Sequence, residues 1–218
     1  MENLDYDRLD SFIDSFFTEQ DEFIRELEYS AIRDEVPIIR RDTQQLLRFI
    51  LSAQRPGKIL EIGTAVGFSA IMMAKYTPRE TRITTVEDYG PRIEQAEKNI
   101  AVSGYAERIE LIEGDGAKVM AELKDSFDLI FIDAAKAQYP AYFEEARRLL
   151  SEGGILVADN CLKGGEIVES KFAVTRRNRT IHKRMREFLL EITRSPEFVT
   201  TILPIGDGVV LAVKRAVS

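Results

Sequence analysis

The sequence FDLIFID, residues 127–133, is a mostly apolar run that ends in a carboxylate. The sequence GILVADN, residues 154–160, has the same pattern, an apolar run followed by Asp159 and Asn160. Apolar runs of this length are typical of strands that are buried on both faces of a parallel sheet. Ligands of such sheets bind at the carboxyl ends of the strands. We therefore expect Asp133, Asp159 and Asn160 to lie together at one edge of a sheet.

Two interpretations of these three residues are open from the sequence. Carboxylate and amide oxygens are the ligands that a hard divalent cation such as Mg²⁺ prefers. Asp and Asn at a strand end also commonly cap the next helix or form a turn. Their position alone does not decide between a cation site and a turn.

Outward from these runs, strand-like and helix-like segments alternate along the chain. The predicted strands are 59–62, 82–86, 109–112, 127–132, 155–158, 198–204 and 208–214. The predicted helices are 68–76, 91–102, 117–123, 139–150 and 178–192, together with most of residues 1–50, which Pro37 interrupts. This order predicts an α/β fold with a doubly wound, Rossmann-like sheet of seven strands, mostly parallel, with one antiparallel strand from a C-terminal hairpin. We expect a single domain over residues 1–218, in which residues 1–50 form a helical N-terminal extension.

Composition narrows the chemistry. The 218 residues are 44% hydrophobic and 31% charged, with a net charge of −7, which is typical of globular proteins. We expect a cytoplasmic protein, because the N-terminus has no signal-peptide pattern and no apolar run approaches the roughly 20 residues that cross a bilayer. The single cysteine, Cys161, fits a reducing compartment. The single histidine, His182, excludes zinc sites built on histidine clusters and lies in a basic stretch that we expect to be exposed.

The turn after the first predicted strand indicates a cofactor with an adenosine but no phosphates. It reads EIGTAVGFS, residues 61–69, and lacks both the G-x-G-x-x-G spacing and the P-loop ending that bind phosphates. Glu87 follows the second strand, where an acid accepts hydrogen bonds from ribose hydroxyls, and Asp115 follows the third, near a bound adenine. Together these features favour S-adenosylmethionine over NAD, although Gly63 and Gly67 could serve only packing and Glu87 only a helix cap.

Taken in order, the motifs resemble those of a known family. They are LEIGT at 60–64, Glu87, GDG at 114–116, FIDAAK at 131–136 and DN at 159–160. In these, the chain is similar to the cation-dependent class I O-methyltransferases of the catechol and caffeoyl-CoA type, from about residue 37 to residue 214. Two further segments resemble the bacterial branch that methylates 5-hydroxyuridine at the tRNA wobble position: RRNRTI at 176–181 and LPIGDG at 203–208.

The resemblance implies a role for each matching position. Asp133, Asp159 and Asn160 would hold Mg²⁺ or another divalent cation. Lys136 and Asp133 would be catalytic, with Lys136 as the base and Asp133 also near the methionine amino group. The positions implied to surround S-adenosylmethionine are Ile39, Glu61, Gly63, Ser69, Glu87, Asp115, Gly116, Ala117 and Asp133. The family usually has a bulky apolar residue after its Asp-Asn pair, whereas CLKGG follows here at 161–165, so we expect an acceptor pocket of different shape.

Residues 175–186 form a basic stretch with five arginines and one lysine and no acid. The stretch is either the solvated face of a helix or a surface for tRNA phosphates, with Arg176, Arg177 and Arg179 as the contacts. We expect tRNA as substrate, and hence methylation of 5-hydroxyuridine to 5-methoxyuridine. Small catechols or phenolic metabolites are the alternative acceptors, and a non-catalytic binding module is a third interpretation. The apolar N-terminal helices favour a homodimer, and no membrane partner is expected.

Overall fold

The computed structural model describes residues 6–18, 21–162 and 165–216. Within them, seven strands form one sheet. The strands are β1 (Lys58–Ile62), β2 (Arg82–Glu87), β3 (Ile109–Glu113), β4 (Phe127–Ile132), β5 (Leu150–Ala158), β6 (Phe198–Leu203) and β7 (Val209–Lys214). The helices are α1 (Tyr6–Asp14), α2 (Glu22–Arg33), α3 (Arg41–Gln54), α4 (Phe68–Lys75), α5 (Gly90–Val102), α6 (Gly116–Glu122), α7 (Tyr139–Leu149) and α8 (Arg179–Arg194).

The strand order is β3-β2-β1-β4-β5-β7-β6, and among the described strands β7 alone runs in the direction opposite to the other six. This confirms the predicted sheet, including the antiparallel strand from the C-terminal hairpin. From β1 the chain winds outward to β3, then returns to β4 and winds the other way. The strand order therefore reverses between β1 and β4, and a crevice opens at the carboxyl ends of the strands beside such a reversal.

Helices cover both faces of the sheet, and each face has its own apolar core. On one face α2 to α5 pack against the strands, and Leu47 and Ile71 are fully buried there. On the other face α6, α7 and α8 bury a cluster of rings in which Phe188 contacts Tyr139 and Phe143. Because side chains alternate along a strand, each inner strand contributes to both cores. The residues at the strand ends are therefore attached to strands that are packed on both faces.

Several predicted boundaries shift by a few residues. β5 begins at Leu150 rather than at residue 155, because Leu150 already pairs with Phe127 before the register shifts. α3 continues to Gln54, past the predicted end at residue 50. Parts of the predicted domain lie outside the described residues, namely 1–5, 19–20, 217–218 and the Lys163-Gly164 pair of the altered acceptor loop. The single-domain prediction stays a prediction. In the described part of the chain, no helix is both long and apolar enough to cross a bilayer.

Candidate active site

A cleft of about 370 Å³ opens at the carboxyl ends of β1, β2 and β4. The loop of residues 37–39, between α2 and α3, forms part of its wall. The predicted cofactor residues that line the cleft are Ile39, Gly63, Ser69, Glu87, Gly116 and Asp133. The predicted cofactor residues outside the lining are Glu61, Asp115 and Ala117. The cleft lies at the reversal in strand order, where the sequence predicts a ligand.

Two glycines allow the chain to fold tightly around this cleft. Gly63 has a φ of +101°, and a Cβ atom there would lie 2.0 Å from the carbonyl oxygen of Asp133. At Gly116 a Cβ atom would lie 2.6 Å from the side chain of Ile62. Close backbone packing therefore requires glycine at both positions, and both residues also line the cleft. The packing interpretation and the cofactor interpretation of Gly63 are compatible.

Glu87 organises the turn at the end of β2. Its Oε2 accepts the backbone N–H of Ala65 at 2.8 Å, and its Oε1 accepts those of Asp88 and Tyr89 at 3.1 Å. A carboxylate has about four acceptor positions, so these three bonds leave capacity for a ligand. Glu87 thus holds the turn before α5 and also faces the cleft, but it is not the cap of that helix, whose N-cap residue is Tyr89.

Asp115 is the N-cap of α6, which is the capping role that acids at strand ends commonly have. Its side chain accepts the backbone N–H of Lys118 at 3.1 Å and the Nε2 of Gln138 at 3.2 Å. These hydrogen bonds, the one from Lys118 first, lower the pKa of Asp115. Asp115 and Ala117 flank Gly116, so they lie next to the cleft without forming its wall.

Glu61 lies beneath the cleft and is fully buried. Its Oε2 accepts a hydrogen bond from the hydroxyl of Thr85, and within the described residues its Oε1 has no partner. Burial raises the pKa of Glu61 to about 7, and the charges of Asp133 and Glu87 add to the effect. A buried carboxylate with a free oxygen is a site for a cation or a hydrogen-bond donor.

The structure brings Asp133, Asp159 and Asn160 together as predicted. The Nδ2 of Asn160 donates to Oδ1 of Asp133 at 2.5 Å, and the backbone N–H of Asn160 donates to Oδ1 of Asp159 at 2.6 Å. Burial, and then the neighbouring Asp133, raise the pKa of Asp159 to about 7. Burial also raises the pKa of Asp133. The buried Asp159 and the partly exposed Asp133 repel each other, so a cation between their carboxylates would stabilise both.

Lys136 begins a 3₁₀ turn, Lys136–Gln138, three residues after Asp133. The side chain is partly exposed, and its charge favours the ionised form of Asp133 without overcoming the effect of burial. Ala134 and Ala135, which connect the two residues, line the cleft. Lys136 therefore lies at the border between the cleft and the Asp133–Asn160 group.

Two further acids near Asp159 have no role in the sequence predictions. The charges of Asp42 and Asp207 both contribute to the raised pKa of Asp159. Asp207 lies in the GDG of residues 206–208, which is part of the LPIGDG segment that carries the resemblance. Among the described residues, no group of three or more His, Cys, Asp and Glu side chains is arranged to hold a metal ion. The predicted cation site has two such residues and completes its set with an asparagine.

The basic stretch lies at the same edge of the sheet. α8 connects β5 to the parallel β6, so its first turn lies at the carboxyl end of β5, as Asp159 does. Arg176, Arg177 and Arg179 are exposed there. The expectation that His182 is exposed was wrong. It faces the core on the inner side of α8, is only 5% exposed, and its Nε2 lies 3.0 Å from the carbonyl oxygen of Glu169.

Comparison with known proteins identifies the family to which this chain belongs. Residues 15–215 match the O-methyltransferase family. A catechol O-methyltransferase of Mycobacterium tuberculosis is 33% identical over 163 residues, covering 73% of this chain and 74% of that protein. Caffeoyl-CoA O-methyltransferase 1 of Eucalyptus globulus is 28% identical over 179 residues, covering 78% and 72%. The crystal structure of the O-methyltransferase from Bacillus cereus in complex with SAH superposes with a TM-score of 0.84 at 26% identity, covering 95% of this chain and 97% of that one. The chain therefore belongs to the O-methyltransferase family, among relatives of the catechol and caffeoyl-CoA type.

Proposed function

We propose that this chain transfers the methyl group of S-adenosylmethionine to a hydroxyl oxygen of an acceptor, which a divalent cation holds beside Asp133. The observation that carries the proposal is the double position of Asp133. Asp133 lines the cleft, and its carboxylate accepts a hydrogen bond from the side chain of Asn160. The backbone of Asn160 is in turn hydrogen-bonded to Asp159. The relative from Bacillus cereus binds SAH, the demethylated form of S-adenosylmethionine, which supports this choice of cofactor.

The residues at the acceptor side fit a divalent cation. Two carboxylates with raised pKa values and one amide oxygen form a donor set of the kind that Mg²⁺ prefers. When bound, such a cation supplies Lewis-acid chemistry, which favours the ionised form of the acceptor hydroxyl and orients it. Asp133, Asp159 and Asn160 would hold the cation, in line with the sequence prediction.

The chain's own residues would position the reactants and move one proton. Glu87 would accept hydrogen bonds from the ribose, and the Gly63 turn would bring the backbone close to the cofactor. The Nζ of Lys136, in its neutral amine form, would take the proton of the acceptor hydroxyl. The oxygen then attacks the methyl carbon in line with the sulfur, so that the O–C bond forms as the C–S bond breaks and neutral SAH leaves.

Asp159→Ala tests the cation site separately from the cofactor site, because Asp159 does not line the cleft. We expect methyl transfer to be abolished and Mn²⁺ binding, measured by calorimetry, to be lost, while affinity for SAH stays near that of the parent. Asp125→Ala is the matched control, since Asp125 is exposed and pairs with Lys58 on the surface. Undiminished activity of the Asp133→Ala or Asp159→Ala variant after chelator treatment would contradict the cation role.

For the acceptor, we propose 5-hydroxyuridine at the tRNA wobble position. Arg176, Arg177 and Arg179 are exposed cations at the edge that carries the methyl-transfer site, on a chain of net charge −7. Arg179 borders a groove that also holds Phe172, whose ring is 80% exposed and lies 5.1 Å from the Lys171 ammonium. Cations for phosphates beside an exposed ring for a base are the features with which proteins bind single-stranded RNA.

Neutralising Arg176, Arg177 and Arg179 to glutamine should weaken tRNA binding in an electrophoretic assay and reduce its salt dependence. The matched control removes the same charge from exposed positions elsewhere, at Arg79, Lys98 and Lys124. Equal binding by the two triple variants would reject the RNA surface. Mass spectrometry of nucleosides from tRNA incubated with enzyme, Mg²⁺ and labelled S-adenosylmethionine tests the acceptor directly.

A small catechol or phenolic metabolite is the second candidate acceptor. It is supported by the catechol O-methyltransferase of Mycobacterium tuberculosis, which is similar over 73% of this chain. Turnover of a catechol panel without labelling of tRNA would favour this candidate over the RNA.

We also propose a homodimer through the N-terminal helices. Phe12, Phe16 and Phe49 are each more than 60% exposed, and such apolar surface is unusual on a monomer. Sedimentation of the parent and of a Phe12→Ser, Phe49→Ser variant is the test, with a dimer expected only for the parent. A monomeric parent at micromolar concentration would contradict it.

A further inference from the structure

A chain of hydrogen bonds lies beneath the cleft, and the proposed mechanism makes no use of it. The hydroxyl of Thr85 contacts Oε2 of Glu61 at 2.5 Å and the hydroxyl of Thr64 at 2.6 Å. All three residues are buried, and Thr64 also lines the cleft. These hydrogen bonds therefore connect Thr64, in the wall of the cleft, to the carboxylate of Glu61, which lies behind that wall.

The sheet register brings these groups together. In the parallel pair of β1 and β2, Glu61 is the partner of Thr85. Paired residues of neighbouring strands project from the same face of the sheet, so the hydroxyl meets the carboxylate without help from a loop. The other buried residues of both strands are apolar, so Glu61 and Thr85 form a polar pair within an apolar part of the sheet.

The hydrogen bonds have one direction when Glu61 is ionised. A carboxylate only accepts, so Thr85 donates its single hydroxyl hydrogen to Glu61. Thr64 must then be the donor to Thr85. This order fixes Oε2, while the buried Oε1 has no hydrogen-bond partner among the described residues. Ser69, which lines the cleft, lies close enough to favour the ionised carboxylate.

The free oxygen suits the amino-acid end of the cofactor. Methyl transfer requires the sulfonium to lie near Asp133, so the methionine half lies on the Asp133 side and the ribose lies toward Glu87. In the pairing of β1 with β4, Glu61 is the partner of Phe131, two residues before Asp133 on the same face of the sheet, so the carboxylates of Glu61 and Asp133 are neighbours. The ammonium group there is a cation with three donors. Ser69 lies in the wall of the cleft and next to Glu61, so an ammonium group beside Ser69 would interact with the buried carboxylate.

We propose that Thr85 is a positioning residue for the methionine end of S-adenosylmethionine, because its hydroxyl holds Glu61 with one oxygen free for the ammonium group. This proposal rests on the proposed function. It differs from a merely structural role in a measurable way, because loss of the hydroxyl should weaken only ligands that carry the amino-acid end.

The test compares two ligands and two variants by calorimetry. SAH carries the amino-acid end, whereas methylthioadenosine shares the adenosine and the sulfur and lacks that end. Thr85→Val should bind SAH roughly tenfold more weakly than the parent, as expected for loss of one hydrogen bond to a charged group, and should bind methylthioadenosine equally well. Thr85→Ser, which keeps the hydroxyl, should bind both ligands as the parent does.

Either of two results would overturn the positioning role. One is an equal loss for both ligands in Thr85→Val, which would indicate a distorted cleft, and the other is unchanged binding of SAH. If thermal unfolding shows that the valine variant does not fold, Thr85→Ala makes the same deletion without a methyl group against the carboxylate. A parent that binds neither ligand would contradict the proposed function itself.

Discussion

Replacing Glu61 by glutamine should change how the free energy of unfolding depends on pH. Glu61 is fully buried, and burial raises its pKa from 4.5 to about 7. Between these two values the folded chain keeps the proton while the unfolded chain loses it. The stability that the protonated group contributes is therefore fully present below pH 4.5, and it is lost as the pH rises to about 7.

The size of the effect follows from the shift in pKa. A rise from 4.5 to about 7 is worth roughly 3 kcal/mol at about 1.4 kcal/mol per pH unit. Glutamine does not ionise, so the variant lacks the pH-dependent contribution that Glu61 makes to the free energy of unfolding. The stability of Glu61→Gln relative to the parent should then rise by roughly 3 kcal/mol between acid and neutral pH and stay constant above it.

Urea unfolding of the ligand-free proteins at several pH values measures this difference. Groups that do not interact with residue 61 titrate alike in parent and variant, so their contributions cancel in the comparison. Glu110→Gln is the matched control, because Glu110 lies exposed on β3 and its replacement should leave the difference independent of pH. The difference in the free energy of unfolding between Glu61→Gln and the parent could instead be the same at every pH. That result would refute the assignment of Glu61 as a buried carboxyl group whose ionisation destabilises the folded protein.

Two further substitutions probe the backbone around the site. Gly63→Ala should lower the free energy of unfolding by more than about 3 kcal/mol, because its Cβ would lie 2.0 Å from the carbonyl oxygen of Asp133 at a φ of +101°. Thermal unfolding measures this loss, and a variant as stable as the parent would show that β1 and β4 can separate. Asp42→Ala should cost about 1–2 kcal/mol and speed hydrogen exchange at Gly206, whose N–H it accepts at 2.7 Å, and an unchanged exchange rate would speak against this tether.

The fold was largely predictable because its strands carry a strong local signal. Each central strand is an apolar run bounded by charged residues or glycine, and a run of that kind needs no knowledge of its neighbours to be identified. The first part of β5 was not predicted, because Ser151 to Gly154 are polar or lack side chains. Those residues extend the strand only because Leu150 pairs with Phe127 of β4, a contact between distant parts of the chain.

The parts of the site that follow from strand order were predictable, and those that depend on register were not. Asp133 and Asp159 end adjacent strands, so alternation alone brought them together. The bond between Glu61 and Thr85 requires the pairing of β1 with β2 at one particular offset, which local sequence does not specify. His182 was misplaced for a related reason. A basic stretch suggests exposure, but helical periodicity turns this one position to the core beside Met185.

The acceptor side of the site is built differently from the cofactor side. The cofactor cleft is formed by turns that directly follow β1 and β2, so its residues lie within recognisable motifs. The loop after Asn160 is instead attached to the C-terminal hairpin: Cys161 and Leu162 donate their N–H groups to the carbonyl oxygens of Gly208 and Asp207, both at 2.8 Å. A Cβ at residue 208 would lie 2.3 Å from the Leu162 side chain, so the two segments cannot move independently. We therefore expect a change at residues 161–162 to shift the hairpin that carries Asp207 as well.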